Sequence, residues 1–247
     1  MKYFKDNFEY YGLKGLVATN YDIGDGAWKY EYDGKTEHVE RLQGNGDFRS
    51  EECIEFLKEA DVVVTNPPFS LFREYVKQLM DYGKKFIIIG NMNAIAYKEI
   101  FQWIKEDKIW LGVSPRGLDF ILPNGSTSNV NAAWFTNIEH KKRNTPLDLY
   151  KRYSNEYPKY DNYDAIEVSK VPEIPMDYDG VMGVPITFLD KYNPEQFEIL
   201  WKAEPCIELE YYKTFPFFKE YKSRQINHNG KVCQKTYHRI FIRKRNA

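Results

Sequence analysis

Asn66-Pro67-Pro68-Phe69 sets two adjacent prolines between an amide and an aromatic ring, and these are the residues of the chain best suited to chemistry. Neither proline carries a backbone N–H, so their carbonyls can only accept hydrogen bonds, and both rings fix the backbone. The side-chain carbonyl of Asn66 and a neighbouring backbone carbonyl can therefore grip both hydrogens of one planar amino group. Two acceptors on that nitrogen favour a more tetrahedral, more nucleophilic amine, a form of catalysis by orientation and electrostatics. Phe69 can stack on the ring that bears the amine, offsetting part of the few kcal/mol needed to take a base out of its stack. Asp or Asn followed by two prolines and an aromatic arises by chance in roughly one chain in two hundred of this length. The competing reading is a rigid strand-to-helix turn, with Asn66 as a cap and Phe69 as core packing.

The flanking elements give the tetrapeptide its setting. Asp61-Val62-Val63-Val64-Thr65 is a β-branched run without polar alternation, which predicts a strand covered on both faces, as in a parallel sheet. After Phe69, Ser70 is placed to cap a helix with Leu71, Phe72, Tyr75, Val76, Leu79 and Met80 on one face, closed by Gly83. Upstream, Ser50 is placed to cap a helix that begins Glu51-Glu52. Phe86-Ile87-Ile88-Ile89 predicts a further buried strand, a helix carries Ile100, Phe101 and Ile104, and Ile109–Val113 and Ala132–Phe135 predict two more strands. This alternation predicts an open α/β sheet with helices on both faces. In such sheets ligands bind beyond the carboxyl ends of strands, where the tetrapeptide lies.

Other segments are less regular. Tyr3, Phe4, Phe8 and Tyr11 have helical spacing before Gly12, and Gly15–Asn20 predicts a short strand ending in Tyr21-Asp22. Pro115 to Ser128 reads as a long loop. Beyond about Lys141, eight prolines from Pro146 to Pro216 interrupt the pattern, so residues 141–247 are expected to form an irregular region appended to a core at 1–140. Strand-like alternation remains at Ile207-Leu209-Tyr211 and Tyr237-Arg239-Phe241, and His228-Asn229-Gly230-Lys231 is a hairpin candidate.

Composition narrows the function classes. A chain of 247 residues can bury a full core. Aromatics reach 17%, which core and half-buried surface account for without invoking base stacking. Cys53, Cys206 and Cys233 lack zinc or disulfide spacing and read as reduced thiols; no metal is implied. No apolar run reaches membrane-spanning length and the start lacks a signal-peptide pattern, which predicts a cytoplasmic protein. The net charge of −1 conceals an asymmetry. Asn155 to Glu210 holds thirteen acidic and four basic residues, whereas Lys219 to Ala247 holds nine basic and one acidic. Lys231, Lys235, Arg239, Arg243, Lys244 and Arg245 are therefore candidates for phosphate contact, beside the plainer role of a solvated charged surface.

Thr65-Asn66-Pro67-Pro68-Phe69-Ser70 resembles the catalytic motif of the amino-group methyltransferases that use S-adenosylmethionine. Asn45-Gly46-Asp47-Phe48-Arg49-Ser50 resembles the segment of that family in which an acidic side chain accepts from the cofactor's adenine amine and an aromatic packs on its ring. Leu16–Asp22 stands in the place of the strand whose acidic end commonly holds the ribose hydroxyls. Together with the C-terminal Asn-Gly-Lys hairpin, these segments most resemble the EcoRI-type adenine-specific DNA methyltransferases, over nearly the full length.

The resemblance implies a Rossmann-like methyltransferase sheet and a site-specific DNA adenine methyltransferase of a restriction-modification system, acting on double-stranded DNA. On this resemblance Asn66 and the Pro67 carbonyl hold the target amine, beside Pro68, and Phe69 stacks on the flipped adenine. Asp47 and Phe48 bind the cofactor adenine, and Asp22 is the ribose candidate, with a surface turn as its alternative. Asn91 and Asn93 could line the same crevice, although loop-start caps are the plainer reading. Target recognition is expected in roughly Lys141 to Glu210. The family's first strand and cofactor loop have no counterpart within these residues, so an incomplete cofactor site is also expected. Two other functions stay open: a DNA-binding relative without methyl transfer, and an amino methyltransferase acting on protein glutamine or RNA.

Overall fold

A computed structural model describes residues 1–24, 26–114, 117–122, 124–160, 164–203 and 238–245, with strand pairing alone at 227–228 and 231–232. The chain is mixed α/β and divides into two compact units: 1–65 with 74–86, and 66–73 with 87–247.

The first unit opens with α1 (Lys2–Asp6) and a three-stranded antiparallel meander of β1 (Leu16–Thr19), β2 (Trp28–Tyr32) and β3 (Glu37–Arg41). The segment expected as a strand of the open sheet instead pairs with β2, Leu16 opposite Tyr32. Asp33 makes the β2–β3 turn by accepting from the N–H groups of Lys35 and Thr36 at 2.8 and 2.6 Å. Then come α2 (Glu51–Glu59), β4 (Val62–Thr65) and most of α3 (Phe72–Asp81). Ser50 caps α2 as expected, its hydroxyl accepting from Cys53 N at 3.2 Å. The β4 valines depart from expectation: Val62 and Val64 are 45% and 39% exposed, so one face of this strand is open to solvent. β-Branched residues favour extended backbone whether or not both faces are covered, which is why the run alone misled.

The second unit holds β5 (Lys85–Asn91) from Ile87 onward, α4 (Lys98–Lys105), β6 (Trp110–Leu111), the hairpin of β7 (Leu118–Ile121) and β8 (Thr127–Val130), and β9 (Ala132–Thr136). β9 pairs antiparallel with β5 on one side and β6 on the other. The expected long loop contains the β7–β8 hairpin, Leu118 opposite Val130. Phe72 seats against Phe135 with ring centroids 5.0 Å apart, in the space left by Gly90, where a Cβ would collide with both rings. The buried positions Ile100, Phe101 and Ile104 of α4 follow its predicted apolar face. Asn91 caps the turn after β5, accepting from Asn93 N at 2.9 Å, which is the cap reading.

The Pro-rich half is more ordered than its sequence predicts. β10 (Ala165–Glu167), β11 (Val181–Pro185), β12 (Phe197–Lys202) and β15 (Arg239–Lys244) form a sheet in the order β10-β11-β15-β12, parallel at β10–β11 and otherwise antiparallel. Trp201 stacks on Phe241 at 4.2 Å and Tyr160 packs on the same ring at 5.3 Å. β13 (Asn227–His228) and β14 (Lys231–Val232) pair antiparallel across the expected two-residue hairpin connection. Ile207-Leu209-Tyr211 lies outside the described residues. No described helix is long and apolar enough to cross a membrane.

Candidate active site

β4 ends at Thr65 and the chain leaves it through Asn66, which is exposed, Pro67, buried, Pro68, exposed, and Phe69, half-buried. A 3-10 turn over Phe69–Leu71 follows, closed by the Leu71 N–H on the Pro68 carbonyl at 3.0 Å, and α3 starts only at Phe72. The backbone closes this turn itself, so the expected Ser70 cap is not used. Two other acceptors stay open. Neither the Asn66 side chain nor the Pro67 carbonyl accepts a hydrogen bond from any described residue. Asn66 is therefore no helix cap here, and Phe72 rather than Phe69 fills the core position. The turn presents an amide oxygen, a carbonyl oxygen and a half-exposed aromatic ring, the groups an amine grip needs.

In the first unit, the loop of residues 45–50 is built around two constraints. Gly46 takes φ +71°, and a Cβ there would strike the Asn20 carbonyl and come within 2.9 Å of Ala27 Cβ. Only glycine adopts that backbone without strain in so tight a place. Asp22 N donates to the Asn45 carbonyl at 3.0 Å, so the end of β1 and the Asp47 loop, selected independently in the sequence, lie side by side. Asp22 Oδ1 also accepts from Gly24 N at 2.8 Å, an Asx turn that is its surface reading.

Asp47 is held firmly. Its Oδ1 accepts from Arg49 N and Nε, both at 2.9 Å, and its Oδ2 from Arg49 Nη2 at 2.6 Å. The guanidinium beside it lowers the carboxyl to about 2, so the group is ionised across the physiological range. Phe48 packs edge-on against Tyr75 at 4.8 Å, and Gln78 Nε2 donates to the Phe48 carbonyl at 2.9 Å, which ties the loop to α3. Burial pushes the Tyr75 phenol up to about 12.

Residues 1–245 match the family described as adenine-specific methyltransferase EcoRI. This chain belongs to that family. Its similarity to the type II methyltransferase M.EcoRI of Escherichia coli is 48% identity over 238 residues, 81% of this chain and 73% of the relative. M.MgeORF184P of Mycoplasma genitalium, also named a type II methyltransferase, is 39% identical across 98% of this chain and 83% of its own length. M.MpnI of Mycoplasma pneumoniae is 36% identical across 99% and 83%. No solved structure matches. Membership in the EcoRI family makes S-adenosylmethionine the methyl donor to be accommodated.

The candidate phosphate contacts separate. Arg239 is buried in β15 with its side chain 7% exposed, and its Nε and Nη2 both engage Glu167, Nη2–Oε1 at 2.7 Å. A guanidinium so placed is spent inside the sheet, where Arg239–Ile242 is buried throughout. Arg243 is exposed and pairs with Glu198 at 2.8 Å. Lys244 donates to the Met176 carbonyl and Arg245 to the Pro194 carbonyl. Lys231 is described only through the pairing of β14, and Lys235 lies outside the described residues. Glu31, His38 and Glu40 approach one another on β2 and β3, but Lys29 places its ammonium against both glutamates, so a cation already sits there. Two residues outside the sequence candidates, Arg49 and Gly46, shape the Asp47 loop. The Asn-Gly-Asp turn signal could have found Gly46, whereas nothing local marks Arg49 as the partner of Asp47.

Proposed function

We propose that this chain methylates the exocyclic amine of an adenine rotated out of double-stranded DNA, at a specific site, as the modifying half of a restriction-modification pair. The observation that carries the reading is the pair of open acceptors, Asn66 Oδ1 and the Pro67 carbonyl, beside the half-exposed Phe69 ring. Asn66 accepts one hydrogen of the target amine and Pro67 the other, which turns the nitrogen lone pair away from the ring system, while Pro68 keeps the turn rigid. Phe69 stacks on the extruded base.

The chain's residues fit the adenosyl end of the implied cofactor. Asp47 is an ionised acceptor on a loop that glycine alone can form, and Phe48 and Asp22 lie on the same or the adjoining segment. When bound, S-adenosylmethionine supplies an electrophilic methyl group. Asp47 would accept from its adenine amine, Phe48 would pack on the ring and Asp22 would meet the ribose hydroxyls. The α2, β4, α3, β5, α4, β6 order supports reading residues 1–140 as the counterpart of a Rossmann-like methyltransferase core. Residues 141–247 would read the target, with Lys231, Lys235 and Arg243 meeting phosphates in the cytoplasm.

Incubation with methyl-labelled S-adenosylmethionine and duplex DNA, single-stranded DNA, RNA or protein tests the reading. Label is expected as N6-methyladenine in duplex DNA. Transfer confined to RNA or protein would overturn the acceptor assignment.

A further inference from the structure

The carboxylate of Asp47 offers about four lone-pair positions, and Arg49 alone fills three of them. Two fall on Oδ1 and one on Oδ2, leaving one acceptor position on Oδ2. The Arg49 plane lies over the Phe48 ring with its carbon 5.3 Å from the centroid, and Nη1 reaches Glu74 Oε1 on α3 at 3.4 Å. Asn45 Oδ1 accepts from Asp47 N at 3.1 Å, and Ser50 N donates to the Asp47 carbonyl at 2.9 Å. Both the side chain and the backbone of Asp47 are thus fixed, and the fixing of the side chain is Arg49's work. A lone surface ion pair would need none of this: a flexible lysine at 49 would neutralise the charge as well, without the planar fork that sets the direction of the carboxylate.

We propose that Arg49 is a positioning residue which splints Asp47 so that the remaining Oδ2 lone pair is aimed to accept the exocyclic amine of an adenosyl ligand. The inference rests on the reading that Asp47 binds the cofactor adenine. The depressed Asp47 carboxyl agrees with it, because an acceptor held ionised never becomes a competing donor. A contrary role is also chemically possible for the same contact, in which Arg49 masks Asp47 and must leave before ligand binds. The two predict opposite signs.

The test uses calorimetric titration of the full chain with S-adenosylhomocysteine and with S-inosylhomocysteine, in which a carbonyl oxygen replaces the amine. Wild type should prefer the adenosyl ligand by at least about tenfold, the scale of a hydrogen bond to a charged group. R49M should weaken adenosyl binding about tenfold and shrink the preference, and R49K should recover only part of both. D47N should abolish the preference, and adding R49M to D47N should change nothing further. A cooperative thermal melt would confirm that each variant is folded, as the exposure of Arg49 leads one to expect. If R49M binds as wild type, or more tightly, while D47N loses the preference, the splint is wrong and the adenine acceptor stands. If D47N keeps the preference, or folded wild type binds neither ligand, the Asp47 reading and the splint fall together.

Discussion

Replacing Arg239 with Met tests whether this cation serves the fold or the DNA. Glu167 on β10 stands opposite Gly183 of β11, and Arg239 reaches it from β15 on the other side of β11. The tyrosine ring of Tyr160 covers Gly183, where a Cβ would meet its hydroxyl, and that hydroxyl donates to Glu167 Oε2. The Glu167 side chain is 1% exposed and that of Arg239 7%, so water cannot replace a lost guanidinium. Truncating one partner of a pair this deeply buried costs about 3–5 kcal/mol, because the carboxylate loses the cation that offsets its desolvation. Urea denaturation followed by circular dichroism should show a loss of that size for R239M. The double variant E167Q/R239M should recover at least about 2 kcal/mol of it, since a neutral amide needs no guanidinium beside it. A loss below about 1 kcal/mol, together with a shallower salt dependence of DNA binding, would show that Arg239 faces phosphate and that its burial has been misassigned.

Other outcomes follow from the site. G46A should fold poorly or lose S-adenosylhomocysteine affinity by more than tenfold, since its Cβ meets the Asn20 carbonyl at positive φ; equal melting and equal affinity by calorimetry would contradict this. Asp47 has a depressed folded-state pKa, so its stabilising contribution is full above about pH 4 and is lost as pH falls toward about 2. Acid melts should therefore show wild type losing an advantage over R49M in that interval, and a constant difference across it would refute the ion pair as the cause. R243A should lower duplex-DNA affinity evenly across sequences and reduce the salt slope by about one, measured by fluorescence anisotropy at several salt concentrations; an unchanged slope would remove Arg243 from the phosphate surface.

What could be read from the sequence was local. The Ser50 cap, the apolar face of α4 and the His228–Lys231 hairpin each depend on neighbours within a few residues, and each is present in the structure. The tetrapeptide was legible because two prolines leave the backbone few options, although the 3-10 turn that displaces the Ser70 cap was not. Long-range pairing was not legible. β15 arrives from the end of the chain to lie between β11 and β12, and no property of residues 239–244 announces those partners. Arg239 was misjudged for the same reason, since its partner, Glu167, lies seventy-two residues earlier. The β4 valines mark the opposite error, because a β-branched run reports strand preference and not how many faces are covered.

On the proposed function Asn66 activates an adenine amine for methyl transfer, and comparing wild type with N66A in single turnover on duplex DNA isolates that step. Wild type should form N6-methyladenine, and N66A should slow transfer by on the order of a hundredfold while S-adenosylhomocysteine affinity stays unchanged. Transfer by N66A at the wild-type rate, or none by a folded wild type that binds both S-adenosylhomocysteine and DNA, would rule that role out.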